Sequence, residues 1–315
     1  MNDVPSNINN ESEFLNYLGL QYQDVITQLG DGVIYMVFSR QYKISFALKS
    51  IPQTKFNTSE IDCFQLLDDP NIVNLYQYFS FNGKVYLLME YCTNDLDRYL
   101  RNKPRLSSED QLTLVFSVAR AVKACHDKGI AHSDIKPSNF LIDQHGRLKI
   151  NDFGNAQIVS PDQRSNYFNG TKNFQAPEIW KHEFYDPYKA DIWSLGVTFY
   201  IIATGNHPFS LFDNEQMKGQ ILAGSFNESR IGDPCMRQLI KLCLDINPDN
   251  RPDIDTIINL PMFNVAQLRA QENIKLSKND PLNKTHLIIV KPRVGRIKTN
   301  SLKSPQSMTY LPKVL

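Results

Sequence analysis

The chain is poor in the features that mark a secreted, metal-binding or membrane-spanning protein. Among 315 residues there are five cysteines, Cys63, Cys92, Cys125, Cys235 and Cys243, an odd number with no Cys-x-x-Cys pair. A disulfide framework or a zinc site is therefore not expected, and a reducing compartment fits. Met1–Asn10 is polar and rich in Asn, with no basic start and no apolar run behind it, so no secretory signal is read there. The longest uncharged run, Ile192–Phe212, contains Gly205, Asn206, His207 and Pro208 and has Asp191 at its edge. It reads as a buried helix from Asp191 to Thr204 stopped at Gly205, not as a membrane span. These absences point to a cytoplasmic or nuclear protein. Net charge is only +1, which excludes a chain that is a polycation throughout.

What is present is ordinary globular material. Hydrophobic residues make up 42% and charged residues 21%, enough apolar content for one large domain or two lobes. Charge is unevenly placed: residues 266–315 carry ten Lys and Arg against Glu272 and Asp280, a net +8 set against −7 for residues 1–265. Residues 1–19 read as a flexible leader. Residues 20–91 are mainly β in pattern: Val33–Ser39, Ile44–Ile51, Leu75–Phe81 and Val85–Tyr91 are rich in β-branched and aromatic residues, with Asn82-Gly83 as a turn. One helix interrupts them, from Asn57 or Thr58 to Leu67, stopped before Pro70. Residues 95–263 are mainly helical. Ser107–Lys128 is the clearest case, with Ser107 and Asp110 as a capping-box-like start and Leu112, Val115, Phe116, Ala119 and Val122 on one face. Further helices are expected at 188–204, 213–222, 234–245 and 253–260. Residues 264–315 read as a basic, disordered extension; a docking segment or a binder of anionic surfaces is the sharper alternative. The fold class is α+β, with a small β-rich lobe holding one helix and a larger α-helical lobe.

The densest chemistry lies in His132-Ser133-Asp134-Ile135-Lys136-Pro137-Ser138-Asn139. An Asp, a Lys and an Asn at spacings of two and five can converge in one loop. The carboxylate can orient a hydroxyl, the ammonium can neutralise a phosphoryl oxygen, and the amide oxygen can ligate Mg²⁺. The four fixed positions of Asp-x-Lys-Pro-x-Asn, at ~5% each, occur by chance roughly once per 10⁵ starts. Asp152-Phe153-Gly154 follows the apolar pair Leu148 and Ile150, and a carboxylate at that strand end beside Asn139 makes a two-ligand Mg²⁺ site.

These motifs resemble those of the eukaryotic protein kinase family, serine/threonine type, in order and spacing across about residues 20–263. The resemblance implies a bilobal fold with ATP and Mg²⁺ in the cleft. It casts Asp134 as the catalytic base, Lys136 as a phosphate-contacting residue, and Asn139 and Asp152 as the metal ligands. Phe46-Ala47-Leu48-Lys49 resembles the family's Val-Ala-Ile-Lys strand, placing Ala47 at the nucleotide and Lys49 on its α- and β-phosphates. Gly30-Asp31-Gly32 resembles the first two glycines of the phosphate loop, Tyr35 stands where the third falls, and Val37 where the loop's valine falls. Glu60 is the partner of Lys49 or a capping-box residue for Asn57, two roles that can coexist, since only 11 residues separate it from Lys49. Met89-Glu90-Tyr91-Cys92 resembles the gatekeeper and hinge, with adenine on backbone groups of Glu90 and Cys92. Asp95 is either a ribose contact or a helix N-cap.

The resemblance also assigns structural roles. Thr171, in Gly170-Thr171-Lys172-Asn173-Phe174-Gln175-Ala176-Pro177-Glu178, would bridge Asp134 and Lys136. Glu178 would pair with Arg251, and Asp191 would accept catalytic-loop N–H groups. Two departures matter. Ser133 replaces the Arg before the catalytic Asp, which in the family receives an activation-loop phosphate. Ser138 stands where kinases favouring basic substrates often carry Glu. The activity implied is transfer of the γ-phosphoryl of MgATP to Ser/Thr hydroxyls of protein substrates. A pseudokinase scaffold is the alternative, favoured by the short helix and Tyr35; a nucleic-acid binder rests only on the tail.

Overall fold

Five strands form one antiparallel sheet, whose two central strands bury side chains on both faces. In the computed structural model, which describes residues 8–264 apart from Leu29, Asp31, Pro104 and residues 160–163, these are β1 (Leu20–Gln28), β2 (Val33–Ser39), β3 (Ile44–Pro52), β4 (Leu75–Phe81) and β5 (Lys84–Glu90). Their order is β1-β2-β3-β5-β4. On the inner face Ala47 lies opposite Met36 and Met89, and Lys49 opposite Ile34 and Leu87. On the outer face Val37, Phe46, Leu48, Tyr86 and Leu88 form a separate apolar cluster.

That outer cluster has a lid in α1 (Glu11–Tyr17), so the expectation of a flexible leader over residues 1–19 is corrected from Asn10 onward. Asn10 caps the helix by accepting the Glu13 N–H at 2.9 Å, and Glu13 reaches back to the Asn9 N–H at 2.9 Å. This reciprocal pairing satisfies end groups that the helix cannot satisfy itself. Phe14 is fully buried, stacked on Phe81 at 4.6 Å and edge-on to Phe79 at 5.9 Å. The Glu11 carboxylate accepts the Tyr86 hydroxyl at 2.8 Å.

The inner face receives α2 (Ser59–Leu66), whose Ile61, Cys63 and Phe64 are buried. A short β6 (Asn94–Asp95) leads to α3 (Leu96–Asn102) and α4 (Ser108–His126), where Ser107 accepts the Asp110 N–H as expected. The small strands β7 (Ile130–Ala131), β8 (Phe140–Ile142), β9 (Leu148–Ile150) and β10 (Gln157–Ile158) carry the loops of interest; β7 pairs with β10, and β8 with β6 and β9. The rest is helical: α5 (Pro177–Trp180), α6 (Pro187–Thr204), α7 (Asn214–Ala223), α8 (Pro234–Cys243) and α9 (Ile254–Ile258). α6 is buried along most of its length and ends at Gly205 in the left-handed conformation, φ 69°. Among the described residues no helix is long and apolar enough to cross a membrane, and the five cysteines are unpaired with one another. The basic tail expected over 264–315 lies outside the described residues beyond Asn264.

Candidate active site

Lys49 projects from the inner face of β3 and is only 6% exposed. A buried ammonium needs partners, and it has two: Glu60 Oε1 at 2.8 Å and Asp152 Oδ1 at 2.9 Å. Burial alone would lower its pKa, but the Asp152 and Glu60 carboxylates outweigh burial and hold it above the ordinary lysine value. Asp152 is held below the usual carboxylate range: burial pushes it up, and Lys49 overrides that. Glu60 sits in the first turn of α2. Ahead of the helix the Asn57 side chain accepts the Ser59 N–H at 3.1 Å, and the Glu60 carboxylate is the one paired with Lys49.

The loop after β7 gathers the second set. Asp134 Oδ1 accepts both the Thr171 N–H at 2.9 Å and its hydroxyl at 2.7 Å. Its Oδ2 accepts Lys136 Nζ at 2.7 Å and Asn139 Nδ2 at 3.2 Å. Burial raises the Asp134 pKa, but Lys136 and the Thr171 hydroxyl outweigh it and the net shift is downward. Lys136 also reaches Thr171 Oγ1 at 2.7 Å, closing the bridge. Asn139 spends its amide N–H groups on Asp134, including the backbone carbonyl at 2.8 Å. Its carbonyl oxygen is thus the atom that remains for a cation.

This loop is anchored from below. Asp191, in α6 and 1% exposed, accepts the His132 N–H at 2.7 Å, the Ser133 N–H at 2.8 Å and approaches His126 Nε2 at 3.0 Å. Arg251 and Glu178 form a bidentate pair at 2.7 and 2.9 Å, both buried, with the guanidinium over the Trp193 ring. Phe153 is fully buried against Phe64 and His132, and Asn57 Nδ2 donates to the Gly154 carbonyl at 3.3 Å. The residues after Asp152 are thus packed against α2 through Phe153 and joined through Gly154 to Asn57, just ahead of that helix.

At the hinge, Met89 is buried on the inner face opposite Ala47. The Glu90 N–H is taken by the Asn74 carbonyl at 2.9 Å, and its side chain pairs with Lys149 at 2.8 Å. Asp95 caps α3, accepting the Arg98 N–H at 2.8 Å. At Gly32, a Cβ would lie 2.3 Å from the Ser50 carbonyl, so close strand packing requires glycine; around Gly30, among the described residues other than its chain neighbours, no atom comes within 4 Å of such a Cβ.

Val37 is corrected. Met36, not Val37, lies opposite Ala47, and Val37 is fully buried in the outer cluster, on the far side of the sheet from Lys49. Register decides this, because a one-residue change flips a strand side chain to the other face. Tyr35 packs on the same outer cluster and touches the Tyr22 ring edge-on, so it does not cover the Lys49 side. Sequence reasoning did not find Gln157, Tyr185 or His126, and offered Ser165 only as a hydroxyl of the loop between Asp152 and Glu178. For Gln157 the signal was Ser133, a neutral residue where a charge was expected, whose hydroxyl accepts the Gln157 amide; His126 instead meets Asp191.

A protein kinase domain model matches residues 24–263. The chain belongs to the protein kinase family. Its two lobes are the bilobal fold of that family, with Lys49 on the small lobe and Asp134 on the large one. Among curated proteins, the kinase domain is similar to mouse sperm motility kinase 2B, 38% identical over 205 residues, covering 64% of this chain and 42% of that protein. It is 33% identical over 253 residues to mouse sperm motility kinase 3A, covering 77% and 50%. It is 32% identical over 262 residues to CBL-interacting serine/threonine-protein kinase 24 of Arabidopsis thaliana, covering 81% and 57%. The chain spans about half the length of these relatives. Protein kinases in general use ATP and Mg²⁺.

Proposed function

We propose that this kinase domain is catalytically active and transfers the γ-phosphoryl group of MgATP to Ser or Thr hydroxyls of proteins. The observation that carries the proposal is the double pairing of Lys49, with Glu60 at 2.8 Å and Asp152 at 2.9 Å. It sets a cation on the phosphate side of the cleft and a carboxylate beside it. Asp134 orients the attacking hydroxyl and takes its proton as the new P–O bond forms and the bond to ADP breaks. Lys136 neutralises charge on the transferring group, and Thr171 fixes both.

The donor set fits Mg²⁺. Among the described residues no three His, Cys, Asp or Glu side chains converge as a metal cage. Asn139 and Asp152 supply two oxygens, the number expected of an ion that takes its other ligands from phosphates and water. When bound, that ion neutralises charge on the phosphates. Ala47, Met36 and Met89 offer the apolar wall for adenine. The alternative, a nucleotide-binding scaffold, drew on the short helix and on Tyr35; the Lys49–Glu60 pair and the outward Tyr35 weigh against it.

The test is transfer from MgATP to a degenerate Ser/Thr peptide library. Asp134→Asn is expected to cut turnover more than about 100-fold while MgATP binding stays near wild type. Asp152→Ala is expected to weaken Mg²⁺-dependent nucleotide binding as well. Wild-type turnover in Asp134→Asn would overturn the assignment of the base.

A further inference from the structure

Besides the bonds of Thr171 to Asp134 and Lys136, the segment leading from Asp152 to Glu178 is fastened to the catalytic loop by uncharged groups. Gln157, in β10, is the meeting point. Its amide nitrogen donates to Ser133 Oγ at 2.9 Å and lies 3.4 Å from the Tyr185 hydroxyl, and its carbonyl oxygen accepts the Ser165 hydroxyl. Ser165 exchanges two backbone hydrogen bonds with Tyr185, at 2.7 and 3.0 Å, and its Oγ accepts the Tyr167 N–H at 3.1 Å. The Tyr185 hydroxyl donates to the Tyr167 carbonyl. Five residues from three parts of the chain thus share one network with no ionised member.

The network sits beside a forced crossing. Ser133 adopts the left-handed conformation, φ 61°, while donating its N–H to Asp191. Gly170 passes over it at φ 100°, so closely that a Cβ there would lie 2.5 Å from the Ser133 carbonyl. The next residue is Thr171, which bonds Asp134 and Lys136. The placing of Thr171 therefore depends on where residues 165–170 run, and Gln157 bonds both the residue before Asp134 and the residue that starts that run.

We propose that Gln157 is a positioning residue that holds the activation segment against the catalytic loop through Ser133 and Ser165, drawing on no charged side chain of the segment. The proposal rests on the kinase reading and deepens it, by naming what does the work of the absent Arg–phosphate pair. A primary amide suits the place because it donates and accepts at once, matching a hydroxyl on each side. An apolar side chain of the same length offers neither. A carboxylate only accepts, but the Ser133 and Ser165 hydroxyls can both rotate to donate to it.

The experiment compares wild type, Gln157→Met and Gln157→Glu in the full chain, by amide hydrogen exchange without nucleotide and by peptide phosphorylation. In Gln157→Met, exchange at Ser165, Tyr167 and Thr171 is expected to quicken about fivefold or more. Peptide kcat is expected to fall about tenfold, with the KM for ATP and the melting temperature close to wild type. Gln157→Glu is expected to recover both the protection and most of the rate. Unchanged exchange in Gln157→Met, or a Glu variant no better than the Met variant, overturns the proposal. Should Gln157→Met fail to fold, Ser165→Ala, which removes one donor to the same amide, is read by the same two criteria. If exchange follows the pattern while no form of the chain transfers phosphate, the kinase reading falls and the clasp stands.

Discussion

Lys49 has two partners of different kinds, and separating them tests what each does. Asp152 approaches it from the end of β9, and Glu60 from the first turn of α2. Glu60→Gln keeps the shape and removes the charge. It is expected to lower kcat/KM for ATP about tenfold, about 1.4 kcal/mol of barrier; steady-state kinetics at varied ATP would check this, and an unchanged value would reduce Glu60 to a helix-end residue. Most of the candidate site was legible at this scale because side chains at fixed short spacings, such as Asp134, Lys136 and Asn139, must share a loop. Lys49, Thr171 and Asp191 came through the family pattern. Val37 was misplaced because its facing depends on the β2–β3 register, which spacing along one strand does not reveal. Asp95 was left open between two roles, and its bond to the Arg98 N–H shows the capping one.

Among elements, α1 and β1 are ones the sequence concealed, α1 by its small apolar content. Its apolar content is Phe14-Leu15 inside a stretch of Asn, Glu and Ser, too little for a periodic signal. The pair buries only because the sheet's outer face offers Phe79, Phe81 and Tyr86 to cover. β1 was hidden for the opposite reason, since after Leu20 its residues stay exposed and mostly polar. The long, strongly apolar elements, β2, β4, α4 and α6, were placed to within a residue or two. Phe14→Ala removes a fully buried ring from a packed cluster. It is expected to cost about 3–5 kcal/mol, read as a lower midpoint in denaturant-induced unfolding, while Tyr17→Ala on the same helix, half exposed, should change little.

For the molecule as a whole, pH and modification report on how the parts are joined. His207 follows α6, lies edge-on to Phe174 at 5.3 Å, and meets the Asn173 amide at 3.2 Å. Burial lowers its pKa from 6.5 to about 4. The unfolded chain therefore binds a proton that the folded chain refuses as pH falls from about 6.5 toward 4, and stability drops across that window by up to about 3 kcal/mol. Unfolding free energies at pH 7, 5.5 and 4.5 would show the slope, and His207→Gln should flatten it. Activity is expected to depend little on phosphate in the activation segment, because Ser133 has no charge to receive one. Phosphatase treatment, checked by mass, should leave initial rates within a few-fold; a drop of tenfold or more, about 1.4 kcal/mol, would contradict this and point to another basic partner.

The uncharged character of the Ser133–Gln157–Ser165 network has a consequence for ionic strength. A phosphate held by a guanidinium is an attraction between charges, and at a partly exposed site added electrolyte weakens it. Hydrogen bonds between an amide and two hydroxyls carry no net charge for ions to screen. The Ser133–Gln157–Ser165 contacts should therefore hold from dilute buffer to molar salt, whereas the bonds of Thr171 to Asp134 and Lys136 involve charged groups and are the ones that added electrolyte weakens.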